Sequence, residues 1–431
     1  MNILLSSAPE HIGKEVTIQG WMSGKRSSGK IHFLQLRDGT QIIQGVVVKG
    51  EVDDSVFEIA DTLTQESSLK VTGTLKEEPR SPTGVEMQVK SIEIVHLTSE
   101  EFPINKADHG PDFLLNHRHL WLRTKKQWAI QRVRNTVINA TYEFFAKEDF
   151  TKIDAPIFTP TSCEDTTELF EVNYFEDKAY LTQSGQLYIE AAIFSFGRVF
   201  DFGPVFRSEK SKTRRHLTEF WMMDAEMAYV DQQGNMEIQE KLMKHIITRV
   251  LEKNLMELAI TERDLEPLKR AVEKPFHHIT HKDAVAMLKT MGSDITENDD
   301  LGADDETMLT EAHDNFIFVE KYPYAVKSFY MKKDPANPFY ALCADLLAPE
   351  GYGEIIGGSQ REDNYDELLK EIKNHNIPVE TMQWYLDLRK YGSVPHSGFG
   401  YGLERIVRWL TGTHHIRETI PFPRLMNRIV P

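Results

Sequence analysis

The chain is poor in cysteine: among 431 residues only Cys163 and Cys343 carry a thiol. Two isolated thiols form no metal-spaced set, and a structural disulfide is unusual in a reducing compartment. No apolar run approaches the roughly 18 residues that a membrane-spanning helix needs. The opening stretch MNILLSSAPEHIG lacks the basic start and long apolar segment of a secretory signal, so a cytoplasmic protein with no membrane partner is expected. Positive charge is also in deficit, with 50 Lys and Arg against 66 Asp and Glu and a formal net charge of -16. That balance argues against indiscriminate nucleic-acid binding but leaves room for a local basic face. No internal repeat, low-complexity tract or Walker-type phosphate loop stands out.

What is present is an ordinary globular composition, 40% hydrophobic and 27% charged, on a chain long enough for two or three domains. Residues 1 to 100 are short β-rich runs broken by turn residues, such as VTIQGWMSG, SSLKVTGTL and VEMQVKSIEIVHL, and read as a small barrel. Residues 101 to 125, with two prolines and a glycine, read as a hinge. From 126 onward helices and strands mix: Ile130, Val133, Val137 and Phe144 recur at helical spacing. The acidic, helix-prone stretch 260 to 330 is expected to be a peripheral insert.

Three segments carry chemistry. In VFDFGPVFRSEKSKTRRHLTEFWMMDAEMA, Arg207 and Glu209 lie two apart on an extended segment and so share a face. An arginine there can fork onto a phosphate, and the carboxylate can accept from an adenine amino group. The loop residues Lys210, Lys212, Arg214, Arg215 and His216 add positive charge suited to a polyphosphate, and Phe220 can stack on a base. A solvated basic hairpin is the competing reading of the charges alone. In HSGFGYGLERIVRWL, Gly398, Gly400 and Gly402 alternate with apolar residues, leaving one strand face bare for a flat ligand, and Glu404 and Arg405 then open a helix. Tight packing of a glycine strand on a helix competes with that reading. The third segment, DFTKIDAPIFTPTSCEDTTELF, places Pro156 at the end of a strand.

The order of these segments resembles the three signature motifs of the class II aminoacyl-tRNA synthetases. The barrel ahead of them, with RHLWLR at the junction, is similar to the subgroup charging aspartate, asparagine and lysine. The resemblance implies an α+β protein: an N-terminal OB-fold that reads the anticodon, then a catalytic domain with an antiparallel sheet flanked by helices. It implies ATP contacts at Arg207, Glu209, His216, Phe220 and Arg405, with Arg207 and Arg405 catalytic. Glu164 and Gln186 match groups on the substrate α-amino end, and Asp345 and Glu354 match carboxylates for Mg2+, a hard cation that prefers oxygen. Phe33 and Gln44 match positions that contact the middle anticodon base, although Phe33 can also be barrel core. Pro156 matches a homodimer interface.

The amino acid is read from QSGQLYIE, residues 183 to 190. The aspartate enzymes carry a lysine where Ile189 stands and a proline where Gly185 stands. Losing that cation while gaining Glu190 as an acceptor for an amide NH2 points to L-asparagine. By the resemblance, Arg361 in GGSQRE matches an arginine that holds the side-chain oxygen of either amino acid. The expected partners are therefore ATP, L-asparagine, tRNA(Asn) and a second copy of the chain. A compact-type aspartate–tRNA ligase is the nearest rival. An enzyme amidating free aspartate would not need the barrel, and a non-catalytic relative would not need Arg207, Glu209, Glu404 and Arg405.

Overall fold

A computed structural model describes residues 1–81, 83–105, 107–160, 163, 169–210 and 213–431. The chain divides between Leu114 and Leu115 into two compact units.

In the first unit, alternation of apolar and polar residues produces strands with one buried face. These are β1 (Glu15–Ser28), β2 (Ile31–Arg37), β3 (Ile42–Val48), β4 (Ser68–Glu77) and β5 (Val85–His96), closed into a barrel in the order β1-β2-β3-β5-β4. Val16, Ile18, Leu34, Leu36, Leu69, Val71 and Met87 fill it, and the helix Asp54–Thr62 adds Val56 and Ala60 to the same core. Each such Leu, Val or Met contributes roughly 1.5–3 kcal/mol by leaving water. The register turns the intervening residues outward. Phe33 lies opposite Arg26 on one side and Val46 on the other, while Gln44 lies opposite Gln35 and Glu86. Arg26 sits 4.8 Å over the Phe33 ring, and Gln44 Nε2 is 3.4 Å from Glu86 Oε2. Phe33 and Gln44 thus share one partly exposed face.

The second unit is built on an eight-stranded sheet. Its strands are β6 (Thr151–Lys152), β10 (Arg198–Phe206), β11 (Glu219–Ala228), β12 (His277–Thr280), β13 (Ile317–Glu320), β14 (Cys343–Ala348), β15 (Gly353–Gln360) and β16 (His396–Gly402), in the order β12-β13-β14-β15-β16-β11-β10-β6. A small sheet of β7 (Phe158–Thr159), β8 (Glu171–Tyr174) and β9 (Asp177–Leu181) stands apart from it. All neighbours in the large sheet are antiparallel except β6 with β10 and β12 with β13. Helices Lys125–Lys147 and Gln232–Lys253 cover its back, where Val133, Val137 and Phe144 meet Ala225, Met227, Phe399 and Tyr401 in one apolar core. Helix Gln232–Lys253 begins where Asp231 accepts from the Gly234 backbone N–H at 2.9 Å, a side-chain cap on an otherwise unpaired donor.

One expectation is corrected. The segment 260 to 330 is not peripheral, because it supplies β12 and β13 to the main sheet. Strands of four residues are too short to show a period of two, and the acidic composition around them resembles solvated surface.

Candidate active site

The front of the large sheet has a floor made of backbone. The register of β16 puts Gly400 opposite Asp224 of β11 and Gly357 of β15, and Gly357 in turn opposite Asp345 of β14. Residues directly opposed in antiparallel strands share a face, so these four form one row of two carboxylates separated by two bare positions. The next row is Glu226, Gly398, Ser359 and Cys343. The glycines are required by close approach: a Cβ on Gly398 would stand 2.1 Å from Glu226 Oε1, and one on Gly400 2.5 Å from Asp224 Oδ1. A cavity of about 450 Å³ opens over this floor, walled by Arg207, Phe220, Arg361 and Arg405 among others.

One end of the cavity is cationic. Arg207 follows β10 and its guanidinium carbon lies 5.6 Å from the centre of the Phe220 ring, so the two expected ATP residues are adjacent. Arg405, in helix Leu403–Leu410, reaches Glu354 through Nη1, 2.7 Å from Oε2 and 3.0 Å from the backbone carbonyl oxygen. Burial pushes the Glu354 carboxyl up, but Arg405, Lys327 and Arg207 together hold the group below its ordinary range. His216 lines the cavity; burial, then Arg405 and Arg207, push its imidazole below the usual histidine range. Glu209 does not line this cavity but a neighbouring one of about 200 Å³, with Arg207 and His216. Arg215 is anchored: it donates to Glu306 Oε2 at 2.7 Å, Thr307 Oγ1 at 2.7 Å and the Gly351 carbonyl at 3.0 Å. Lys212 lies outside the described residues.

The other end is built around QSGQLYIE. Gly185 precedes helix Gln186–Phe196, and a Cβ there would come within 2.5 Å of Asp201 Oδ2 and 2.8 Å of Ala155 Cβ, so only glycine fits without a shift. Gln186 opens the helix and lines the cavity, and its Nε2 has no hydrogen-bond partner among the described residues. Asp224 Oδ2 accepts from Ser184 Oγ and from the Gly185 N–H, each at 2.9 Å. Arg361 lines the cavity with its guanidinium forked onto Glu226: Nη2 is 2.5 Å and Nε 3.1 Å from Oε1, and Nη1 donates to Ser359 Oγ at 2.6 Å. Burial raises the Glu226 carboxyl, with Arg361 opposing.

Glu190 is placed differently from expectation. It is 0% exposed and lies outside the cavity lining, as Glu226 is, but where Glu226 is forked by the lining residue Arg361, the partners of Glu190 do not line the cavity. Oε1 accepts from Arg389 Nη2 at 2.5 Å and contacts His396 Nε2 at 2.8 Å, while Oε2 accepts from Tyr385 at 2.6 Å. Ile189, also 0% exposed, packs with Ile193 and Val199. Glu164 lies outside the described residues.

Two carboxylates flank one bare position of this floor. A Cβ on Gly357 would be 3.3 Å from Glu354 Oε1 and 3.5 Å from Asp345 Oδ1, so one bare position is flanked by both carboxylates. A bulge between Leu346 and Leu347 re-aims this corner of the sheet. Burial, with Lys327 opposing and Glu354 adding to it, pushes Asp345 up to about 6. Among the described residues no group of three or more His, Cys, Asp or Glu is set to hold a metal alone. Two carboxylates completed by substrate phosphates is the arrangement magnesium favours, and the residues fit it.

Sequence reasoning missed several members of this site. Asp224 and Glu226 follow Phe220 at two-residue spacing in WMMDAEMA, which was a usable signal. Asp300, Glu306 and Lys327 line the cavity with Asp224, from the acidic segment read as peripheral, while Glu226 is held by the lining residue Arg361.

Comparison with known families separates the site from other uses of the same residue types. The family described as tRNA synthetases class II (D, K and N) matches residues 110–426, and an OB-fold nucleic-acid-binding domain matches residues 16–95. The chain belongs to the class II tRNA synthetases of the D, K and N group. It is therefore an aminoacyl-tRNA ligase with an OB-fold ahead of its catalytic domain. Among solved members of this group, the asparaginyl-tRNA synthetase of Pyrococcus horikoshii complexed with asparaginyl-adenylate is 44% identical, with a TM-score of 0.94 and 100% of both chains covered. The Entamoeba histolytica asparaginyl-tRNA synthetase, also with asparaginyl-adenylate, is 31% identical, with a TM-score of 0.90 over 100% of this chain and 99% of that one. A putative aspartyl-tRNA synthetase from Leishmania major Friedlin is 26% identical, with a TM-score of 0.85 over 100% of this chain and 95% of that one. As a synthetase it has no helix, among the described residues, long and apolar enough to cross a membrane.

Proposed function

We propose that this chain is an asparagine–tRNA ligase acting in the cytoplasm as a homodimer. The observation that carries the amino-acid assignment is the fork of the cavity-wall Arg361 onto Glu226, together with an apolar, buried side chain at Ile189. An arginine already neutralised by a carboxylate offers an N–H to an amide oxygen but little net attraction to a second carboxylate. Glu226 Oε2, only 3.3 Å from Arg361 Nε, keeps capacity to accept from an amide NH2. On this reading Glu226 takes the contact first expected of Glu190, and Glu190 holds the pocket from behind through Arg389, Tyr385 and His396. The relatives at 44% and 31% identity support the same amino acid.

The reaction proceeds in two displacements. A carboxylate oxygen of asparagine attacks the α-phosphorus of ATP, the bond to the bridging oxygen breaks, and pyrophosphate leaves. The 3′-hydroxyl of the terminal tRNA adenosine then attacks the acyl carbon, loses its proton, and expels AMP. The chain's residues position and stabilise charge: Arg207 holds the α-phosphate, Arg405 the terminal phosphate, Phe220 stacks on adenine, and Asp224 with Gln186 receives the α-amino end. His216 and Glu209 border the same nucleotide region. Asp345 and Glu354 would hold Mg2+, which supplies charge neutralisation to the phosphates when bound. Phe33 and Gln44 read an unstacked anticodon base by stacking and amide hydrogen bonding. Pro156, with the exposed apolar side chains of Ile157 and Phe158 next to it, supports a dimer contact.

Pyrophosphate exchange measured with asparagine and aspartate in parallel tests the assignment. Exchange that depends on asparagine and nearly ignores aspartate is expected; equal exchange would favour the aspartate enzyme.

A further inference from the structure

Lys327 follows the turn Tyr324–Val326 and places its ammonium among the acids of the cavity. Nζ is 3.1 Å from Asp345 Oδ2, and 3.1 and 3.2 Å from Asp300 Oδ1 and Oδ2. It also stands 3.7 Å from the centre of the Tyr322 ring, whose face attracts a cation. The lysine side chain is 10% exposed, Asp345 20%, and Asp300 48%. Asp300, Glu306, Asp345 and Glu354 meet Arg215, Lys327 and Arg405 around the cavity, and each of the two carboxylates flanking Gly357 already has a protein cation.

We propose that Lys327 is a placeholder cation that neutralises Asp345 while the nucleotide is absent and yields Asp345 to the divalent ion that arrives with the triphosphate. The inference rests on reading Asp345 and Glu354 as metal carboxylates. Two features suit Lys327 to exchange. Its charge is carried on a flexible four-carbon stem, and it has a second, half-exposed carboxylate in Asp300 to remain with once Asp345 is taken. A bare divalent ion would have to displace the ammonium with only two carboxylates to gain. An ion already bound to phosphates brings further ligands with it, so the site discriminates against metal without nucleotide.

The test is binding of Mn2+, followed by its electron paramagnetic resonance signal, with and without α,β-methylene-ATP. Wild-type protein should bind Mn2+ weakly alone and well with the analogue. Lys327→Met should bind Mn2+ alone about tenfold more tightly or better, since a contact charge has been removed, and this advantage should shrink once the analogue is present. Asp300→Asn keeps the lysine but removes its alternative partner, and should weaken Mn2+ binding in the analogue complex. Lys332→Met, a charge loss beside Asp363, serves as the control. The placeholder role is overturned if the gain in Lys327→Met is the same with and without the analogue, if Lys332→Met reproduces it, or if Asp300→Asn changes nothing. Failure of both wild type and Lys327→Met to bind Mn2+ even with the analogue would remove the metal reading and the inference together. Aspartate in place of asparagine in the exchange assay would touch neither.

Discussion

Arg361 is held by Glu226, with Nη2 at 2.5 Å and Nε at 3.1 Å from a single carboxylate oxygen and both side chains within 3% of full burial. The guanidinium can therefore turn only part of its fork toward a ligand. Its preference between an amide and a carboxylate is set by the acid behind it.

Changing Glu226 to glutamine should lower asparagine activation and narrow the ratio of kcat/KM for asparagine over aspartate. The loss of one charge-assisted hydrogen bond corresponds to about 1.5–3 kcal/mol. Steady-state pyrophosphate exchange with both amino acids gives the ratio. An unchanged ratio would place discrimination elsewhere in the pocket.

Glu190→Gln should act on stability more than on that ratio. It removes the charge that Arg389 faces in a fully buried pair, a change costing about 3–5 kcal/mol in comparable cases. Urea unfolding measures the loss. A variant with wild-type stability and collapsed discrimination would return Glu190 to direct substrate contact.

Arg207→Ala and Arg405→Ala should each depress adenylate formation by roughly 10²–10³, the usual scale for one preorganised charge-stabilising donor. Circular dichroism should be unchanged for Arg207→Ala. Near-normal exchange in either variant would contradict its phosphate role.

Phe33→Ala should weaken tRNA charging by about 1–3 kcal/mol while sparing adenylate formation. Comparing aminoacylation with amino-acid-dependent exchange separates the two. Equal losses in both would assign Phe33 to barrel packing.

Acid should loosen the segment around His415. Its Nδ1 accepts the Arg417 N–H at 3.3 Å, and burial, then Arg417 and Arg408, push its pKa from 6.5 down to about 4. Between those values the unfolded chain binds a proton that the folded chain does not. This contribution to stability is complete above 6.5 and is lost as pH falls through 4. His415→Asn can accept the same N–H without titrating, so its urea midpoint should fall less than wild type between pH 7 and about 5. Parallel curves for the two proteins would exclude the role.

The barrel and the first of the two covering helices were legible because their periodicity is local: Val16 and Ile18, or Ile130, Val133 and Val137, declare a face within a few residues. The glycine strand was legible for the same reason. The acid row was half visible, since Asp224 and Glu226 alternate, but their significance depends on Gly400, Gly398 and Arg361, which only strand pairing brings beside them. Glu190 was conspicuous as a charge in an apolar helix. Whether it met substrate or protein was decided by Arg389, Tyr385 and His396, far along the chain. Lys327 and Asp300 carried no motif, and short strands in an acidic setting concealed that their segment joins the sheet.

The bare floor ties the history of two strands together. A methyl group on Gly398 or Gly400 would occupy the space of Glu226 or Asp224, so the carboxylates and the missing side chains opposite them form one heritable unit. A lineage cannot drift at one position and repair it later at the other without passing through a protein whose ligand surface is obstructed. Departure from glycine at these sites should therefore be accompanied by a shorter residue at 226 or 224, and an engineer wishing to enlarge the amino-acid pocket has to redesign the facing pair in a single step.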